Sequence, residues 1–577
     1  MRERGVRTGA GRTGYRDAAQ RWAVRAGLAA ILGLATAGQA AAQVVPSVEP
    51  GAIQQEQRTP VPRIPEPLPS LSIPESGVVP PNAAEIVFEL RDIRIDGSTV
   101  YDAGTLKALH ETEIGRTVSL YDVYALATAI MQRYARDGYP LAIAILPAQE
   151  IEDGIVRIEV IEGYVSEIEI RGEDPNGEIA ALLSGITEVR PLTDAALSRY
   201  LLLANDRAGV TARATFARSE AGRGATKLIV DVTRRAFEGS IAINNRGSRA
   251  IGPWRAEAEL HANGVLGADE RLSLRLVQSS QTEELTYLGA GIAVPVGGEG
   301  TVITLDGTWS QSEPGTATLT AIDFMSDGWT ATLGVSHPFV RTREMTLRGF
   351  GRLGIERYSS DILGVVNSED QLTLATVGGS LDWLGWPGGR STLSASITQG
   401  LDLFEAIDDN SPLKSRPLGS AVFTTANLEA GHLQALGRQL DLYVLFAGQY
   451  ASRQLLAPSQ CGAGGTLYGR AYDNYEIAGD HCLKGSAELR YWLPDFGLPV
   501  TGWHLYGFYD GGLVWQKGSL PAGVDRSTSL VSVGGGARAS FTTGTDLSLE
   551  VAKPLTRDVA LEGDDDIRFF VSLSQRF

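Results

Sequence analysis

Residues Arg271-Leu272-Ser273-Leu274-Arg275-Leu276 and the closing run Arg568-Phe569-Phe570-Val571-Ser572-Leu573-Ser574-Gln575-Arg576-Phe577 decide the fold. In the first, every second residue is Leu and those between are charged or hydroxylated. In the second, Phe569, Val571, Leu573 and Phe577 alternate with Arg568, Ser572, Ser574 and Arg576. A period of two is that of a β-strand, whose successive side chains point to opposite faces. The texture persists from about Phe237 to the end. Ile303, Leu305 and Trp309 alternate with Thr304, Asp306 and Thr308, and Phe541, Leu547, Leu549 and Val551 alternate with Thr542, Asp546, Ser548 and Glu550. An apolar face backed by a polar, often charged one suits a strand between lipid and a wet lumen. A soluble sheet also alternates. The length of the all-β stretch, an export signal at the other end of the chain and the terminal aromatic Phe577 favour a transmembrane antiparallel β-barrel over 236–577. Strands of about 9–11 residues with short turns and longer outer loops predict about 16 of them.

Upstream the texture is different and repeats. Ile93-Arg94-Ile95-Asp96-Gly97 recurs as Ile168-Glu169-Ile170-Arg171-Gly172, and each copy opens a strand–helix–helix–strand–strand pattern. In the first copy, Ser119 and Asp122 form a capping-box signature. Val123, Leu126, Ala127, Ile130 and Tyr134 share one helical face, which Gly138 ends. Strands follow at 141–146 and 155–161. In the second copy Thr193 caps a helix carrying Leu197, Tyr200, Leu201 and Ala204, closed by Gly209, and strands follow with Val210, Ala212, Ala214, Phe216 and with Leu228, Val230, Val232 inward. The boundaries read as 85–162 and 163–235, two small α+β domains whose open sheet edges suit an extended guest chain.

Residues 43–84 are rich in Pro and read as an extended linker. Within it, 52–58 suit either a short helix or more linker, and a helix there is a candidate pore plug. Residues 1–42 carry Arg2, Arg4, Arg7, Arg12, Arg16, Arg21 and Arg25, then a short apolar run and Ala40-Ala41-Ala42. This is the form of a cleaved export signal, the apolar run being too short to span a bilayer. The net charge of −17 argues against nucleic acid as a partner.

This order of parts, with several local motifs, resembles the two-partner secretion transporters, the TpsB branch of the Omp85 superfamily that includes haemolysin secretion/activation proteins. Tyr139-Pro140-Leu141-Ala142, Pro147-Ala148-Gln149-Glu150 and Glu162-Gly163-Tyr164 resemble the end of the family's first POTRA domain, and Asn244-Asn245-Arg246-Gly247-Ser248 its first barrel strand. Gly469-Arg470-Ala471-Tyr472-Asp473 resembles the sixth-loop motif, and Phe508-Tyr509-Asp510-Gly511-Gly512 the strand with which that loop pairs. The motif usually reads Val-Arg-Gly-Tyr/Phe, so Ala471 stands where Gly is usual. Ala is less free to adopt positive φ, and a different loop turn is expected.

The resemblance implies that Arg470, Tyr472 and Asp510 lock the sixth loop inside the barrel. Parity gives Asp510 its direction independently: Trp503, Leu505, Leu513 and Trp515 share one face, so Asp510 points into the lumen, where it needs water or a cation. Cys461 and Cys482 bracket the motif. In an oxidising compartment they are expected to join, whereas two Cys and the adjacent His481 make an incomplete zinc site. Phe577 is expected to serve as the signal read by the barrel-assembly machinery.

The resemblance implies a protein translocase in the outer membrane, with POTRA domains in the periplasm that capture a large unfolded secreted partner of the adhesin or haemolysin class. An Omp85-type assembly factor that inserts other barrels is the alternative; two POTRA-like domains and the Pro-rich leader speak against it. A passive porin has no use for such domains. No Walker loop, His-x-x-x-His pair or Gly-x-Ser-x-Gly elbow occurs, so catalytic residues, metal and cofactor are not expected.

Overall fold

The computed structural model describes residues 50–58 and 79–577, apart from 152, 386–387, 495–496, 498 and 521–524. The export-signal reading and most of the Pro-rich stretch lie outside the described residues.

In the first βααββ unit the strand Asp92–Asp96 lies beside Ile155–Ile161, with Ile143–Ile145 on the far side. Ser119 and Asp122 close a reciprocal capping box on the helix Leu120–Arg136, which buries Val123, Ala127, Ile130 and Tyr134 against the sheet. The expected strand at 141–146 is cut to Ile143–Ile145. Pro140 and Pro147 flank it, and Pro cannot donate to a ladder. Beyond Pro147 the Gln149 side chain substitutes for backbone: its Oε1 accepts from Arg157 N at 2.7 Å and its Nε2 donates to Arg157 O at 2.7 Å. Glu162 ties the end of the unit to its start, accepting from Thr99 N at 2.8 Å, Val100 N at 3.0 Å and Tyr134 Oη at 2.7 Å.

The second unit repeats the plan, with Ala225–Arg234 between Tyr164–Gly172 and Val210–Arg218 and the helix Asp194–Asn205 across the sheet. The repeated Gly has a shared cause. Gly97 and Gly172 have φ of 86° and 105°. A Cβ at each would lie 2.2 and 2.1 Å from the carbonyl oxygens of Val160 and Val232, in the last strand of each unit.

Sixteen antiparallel strands, from Phe237–Asn244 to Arg568–Arg576, close into one barrel. Leu274, Leu276, Leu305, Leu549 and Phe569 lie exposed on its outer face, while Arg275 and Glu257 pair inside at 3.1 Å. The sixth to eighth strands, Met325–Arg341, Met345–Ile362 and Val365–Leu384, have 17, 18 and 20 residues, more than a bilayer requires, and project beyond it. The second unit is fastened to the barrel's near rim by ion pairs of Arg199 with Glu299 (2.6 Å), Asp206 with Arg341 (2.7 Å) and Arg234 with Asp269 (2.6 Å).

Candidate functional site

The loop between the eleventh strand, Leu440–Ala451, and the twelfth, His481–Trp492, folds back into the lumen. Its base is a hairpin of Cys461–Ala463 and Ile477–Gly479. Cys461 is disulfide-bonded to Cys482 at the start of the twelfth strand, with Cα atoms 6.0 Å apart. The tip turns on Gly464, Gly465 and Gly469, with φ of 115°, 86° and 107°. Ala471 is not among the residues of positive φ; the position that requires glycine is Gly469, where a Cβ would lie 2.4 Å from Leu530 Cδ1. Ala471 is fully buried, so the substitution leaves the turn in place and fills space.

At the tip Arg470 meets three carboxylates from the barrel wall. Its Nε lies 3.0 Å from Asp510, and its Nη1 lies 2.5 Å from Glu488 and 3.7 Å from Glu550. Its guanidinium stacks 4.1 Å over the Phe508 ring. Asp510 also accepts from the backbone N–H groups of Gly469 (3.0 Å) and Arg470 (3.2 Å) and from Ser532 Oγ. The carboxylate thus binds both the arginine and the backbone that carries it. Tyr472 is buried, and its hydroxyl lies 3.3 Å from each of Val531 O, Thr556 Oγ1 and Arg557 O.

The structure pairs Arg470 with Asp510, seats the Tyr472 hydroxyl apart from them against Val531, Thr556 and Arg557, and adds residues whose role sequence reading missed. Glu488 bonds Arg490 at 2.7 Å and Arg538 at 2.8 Å, and Glu550 bonds Arg246 at 2.6 Å and Tyr506 Oη at 2.7 Å. Arg568 donates to Ala471 O at 3.0 Å and to Asp473 at 2.8 Å. A signal existed: Ser486, Glu488 and Arg490 share one parity, and Ser486 is in register with Asp510. Glu476, in the loop rather than in a strand, is buried, accepts from Ala560 N at 2.7 Å and has its pKa pushed up to about 7 by burial. Phe577 sits at the closing edge, exchanging two backbone bonds of 3.0 Å with Gly239.

Residues 52–58, left open between helix and linker, belong to a helix, Pro50–Arg58. It buries Ala52 and Ile53 and packs beside the fifth to seventh strands and against Ala457–Ser459 of the sixth loop. Gln55 Nε2 donates to Pro458 O, and a Cβ at Gly51 would lie 2.4 Å from Pro458 Cα. Glu56 pairs with buried Arg255 of the second strand at 2.8 Å. Burial raises the Glu56 pKa and Arg255 acts against that rise. A cavity of about 440 Å³ remains beside the helix, lined by Gln55, Glu56, Asp382, Glu429, Tyr475 and Lys484 among others. Among the described residues no group of three or more His, Cys, Asp or Glu is placed to hold a metal.

Residues 224–539 match the family described as haemolysin secretion/activation protein ShlB/FhaC/HecB, and residues 88–163 match the ShlB-type POTRA domain. The chain is similar to the heme/hemopexin transporter protein HuxB of Haemophilus influenzae strain 86-028NP, 24% identical over 502 residues, covering 85% of this chain and 88% of HuxB. It is also similar to the outer membrane transporter CdiB of Dickeya dadantii strain 3937, 24% identical over 439 residues, covering 73% and 76% of the two chains. The solved structure of CdiB from Escherichia coli shares the fold, with a TM-score of 0.69 at 20% identity, covering 91% of this chain and 98% of that one. The chain therefore belongs to the ShlB/FhaC/HecB family of haemolysin secretion/activation proteins, as an outer-membrane barrel with periplasmic POTRA domains that secretes a partner protein across the outer membrane.

Proposed function

We propose that the transporter works as a plugged conduit with no catalytic chemistry of its own. The segments 85–162 and 163–235 capture an unfolded partner in the periplasm, and 236–577 passes it outward. The partner is a large secreted protein of the adhesin or haemolysin class; HuxB is named for heme and hemopexin, which makes a haem-acquisition protein one concrete cargo to try. Arg470, Tyr472 and Asp510 hold the sixth loop in its docked place while the helix Pro50–Arg58 keeps the pore closed. The helix leaves the lumen when cargo engages. Outer-membrane lipid surrounds the barrel, and the assembly machinery recognises its Phe577 end.

One observation carries this reading. Helix and loop tip occupy the lumen, yet both are held there through side-chain hydrogen bonds and ion pairs, including Glu56–Arg255 and Arg470–Asp510, that polar groups of a passing chain can replace. The test is delivery of a candidate partner, encoded beside this gene, to the cell surface with and without the transporter. Partner held in the periplasm without it and released with it supports the conduit. An unaffected partner together with poor assembly of other barrels makes the protein an assembly factor instead. Export through Arg255→Ala separates the plug from the conduit: entry of a large antibiotic is expected to rise while export persists.

A further inference from the structure

The joint that closes the barrel is built unlike its neighbours. Pairing of the last strand to the first covers only Ser572–Asn244 to Arg576–Ser240, extended by the Phe577–Gly239 backbone bonds at the near end. On its other side the last strand stays paired as far as Arg568, and the first strand stays paired with the second along its whole length. The first strand stops early because the chain leaves it after Asn245 to turn back on the residues that lead into the second strand. Gly247 N donates to Pro253 O at 3.1 Å, and a Cβ at Gly247 would lie 1.8 Å from Gly252 O. On the first-strand side the last strand's outer part therefore has, among the described residues, no backbone partner beyond Val571 O, which accepts from Asn245 N at 3.3 Å.

The Asn245 side chain takes the place of the missing strand. Its Oδ1 accepts from Val571 N at 2.7 Å and its Nδ2 donates to Phe569 O at 2.9 Å. One primary amide thus presents the acceptor and donor that a peptide group would. The Phe569 ring beside it is 69% exposed on the lipid-facing side, where an unpaired backbone N–H or carbonyl finds no water to replace a lost partner.

The two sides of the joint also meet through the sixth loop. Arg246, next after Asn245, donates to Arg470 O at 3.3 Å; Arg568, in the last strand, donates to Ala471 O at 3.0 Å. Their guanidinium groups lie 3.9 and 5.3 Å from the Phe570 ring centroid. Two consecutive carbonyls of the loop tip are therefore gripped by arginines from opposite sides of one seam.

We propose that Asn245 is the latch of the barrel's closing seam, and that Arg246 and Arg568 make the docked sixth loop a strap across it, so that undocking the loop loosens the seam. This goes beyond the export reading, and its readout is strand pairing rather than secretion, so either can fail alone. The experiment is hydrogen–deuterium exchange on the full-length transporter in lipid nanodiscs, followed at the Val571 amide. Asn245→Ala is expected to speed exchange there at least tenfold, with wild-type heat-modified mobility as the fold control, whereas Asn245→Asp, which keeps the acceptor for Val571 N but sets a carboxylate oxygen against Phe569 O, is expected to fall between the two. An unchanged Val571 amide in Asn245→Ala overturns the latch. For the strap, Arg246→Gln/Arg568→Gln is expected to speed the Val571 amide several-fold while Asn245 is intact. Wild-type exchange at Val571 in that variant, with the loop shown by protease to be undocked, overturns the strap.

Discussion

Replacing Arg470 by Ala tests the loop lock most directly. The guanidinium is 4% exposed and the side chains of Asp510 and Glu488 are 0% and 2% exposed, so water does little to screen them. Removing one member of a buried ion pair costs about 3–5 kcal/mol, because the other charge stays desolvated. Here the loss is unequal. Glu488 keeps Arg490 and Arg538, and Glu550 keeps Arg246 and Tyr506, so the cost falls on Asp510. Asp510 in turn keeps the N–H groups of residues 469 and 470 and the Ser532 hydroxyl, which places the loss near the lower bound, at about 3 kcal/mol. At 1.4 kcal/mol per decade, that lowers the ratio of docked to undocked loop by roughly 100-fold. The assay is protease added to intact cells, scored for cleavage within 464–476, beside heat-modified mobility of the barrel and export of the partner. Expected are an inserted barrel, a cleavable loop and reduced export. Arg470→Ala/Asp510→Asn is expected to cost little more than Arg470→Ala, since the buried carboxylate that makes the single change costly is then gone. An inserted Arg470→Ala barrel with a protected loop and normal export refutes the lock.

Non-reducing alkylation is expected to find no free thiol, and Cys461→Ser/Cys482→Ser is expected to weaken loop docking by up to about 3 kcal/mol, the loop-closure value for a separation of 21 residues, read by the same proteolysis. Gly469→Ala forces a side chain to φ 107° against Leu530 and is expected to cost about 1–3 kcal/mol of docking, whereas Ala471→Gly costs under about 1 kcal/mol, so the two variants should separate clearly in protease protection. Glu476 has a pKa raised to about 7 in the docked loop, so docking binds a proton. The docked state is therefore favoured below that value and loosens as pH rises through it, and protease cleavage at pH 8 should exceed that at pH 6. Glu476→Gln should flatten this difference.

The barrel was legible because lipid and lumen impose opposite chemistry on alternate residues, and Arg271–Leu276 and Arg568–Phe577 show that contrast without any partner strand. The tandem units were legible because Gly97 and Gly172 meet the same carbonyl contact in each copy and so repeat in sequence. Asp510 was placed in the lumen by parity alone, but its pairing with Arg470 needed the family resemblance. Glu488 went unquoted, and the pairing of Glu550, Arg246 and Arg568 with the loop was not read, because parity tells which way a side chain points, not which distant strand faces it across the lumen. Glu550 and Arg568 were both in quoted alternations, read only as polar positions. The shortening to Ile143–Ile145 was recoverable from Pro140 and Pro147, whose effect on a ladder is local. The concern over Ala471 assumed that its position carries the positive φ; the turn puts it at Gly469, which only the backbone reveals.

The sixth loop is held in two chemically different ways, and the difference bears on how it works. Its base is fixed by the Cys461–Cys482 bond and a short hairpin, neither of which exchanges easily with a passing polypeptide. Its tip is held by arginines and carboxylates whose mutual attraction is largely offset by the cost of drying them. Such a network adds little net stability but accepts only one arrangement, because each shift of the tip strands a charge. A tip held that way returns to one register after every excursion, while the tethered base keeps it from being lost. Gly464 and Gly465, at φ 115° and 86°, open the tip directly after the base hairpin, where the chain needs freedom to turn. In the proposed conduit, polar groups of an extended cargo chain would satisfy Asp510 or Glu488 in passing, and the barrier to undocking would then fall with cargo in the lumen.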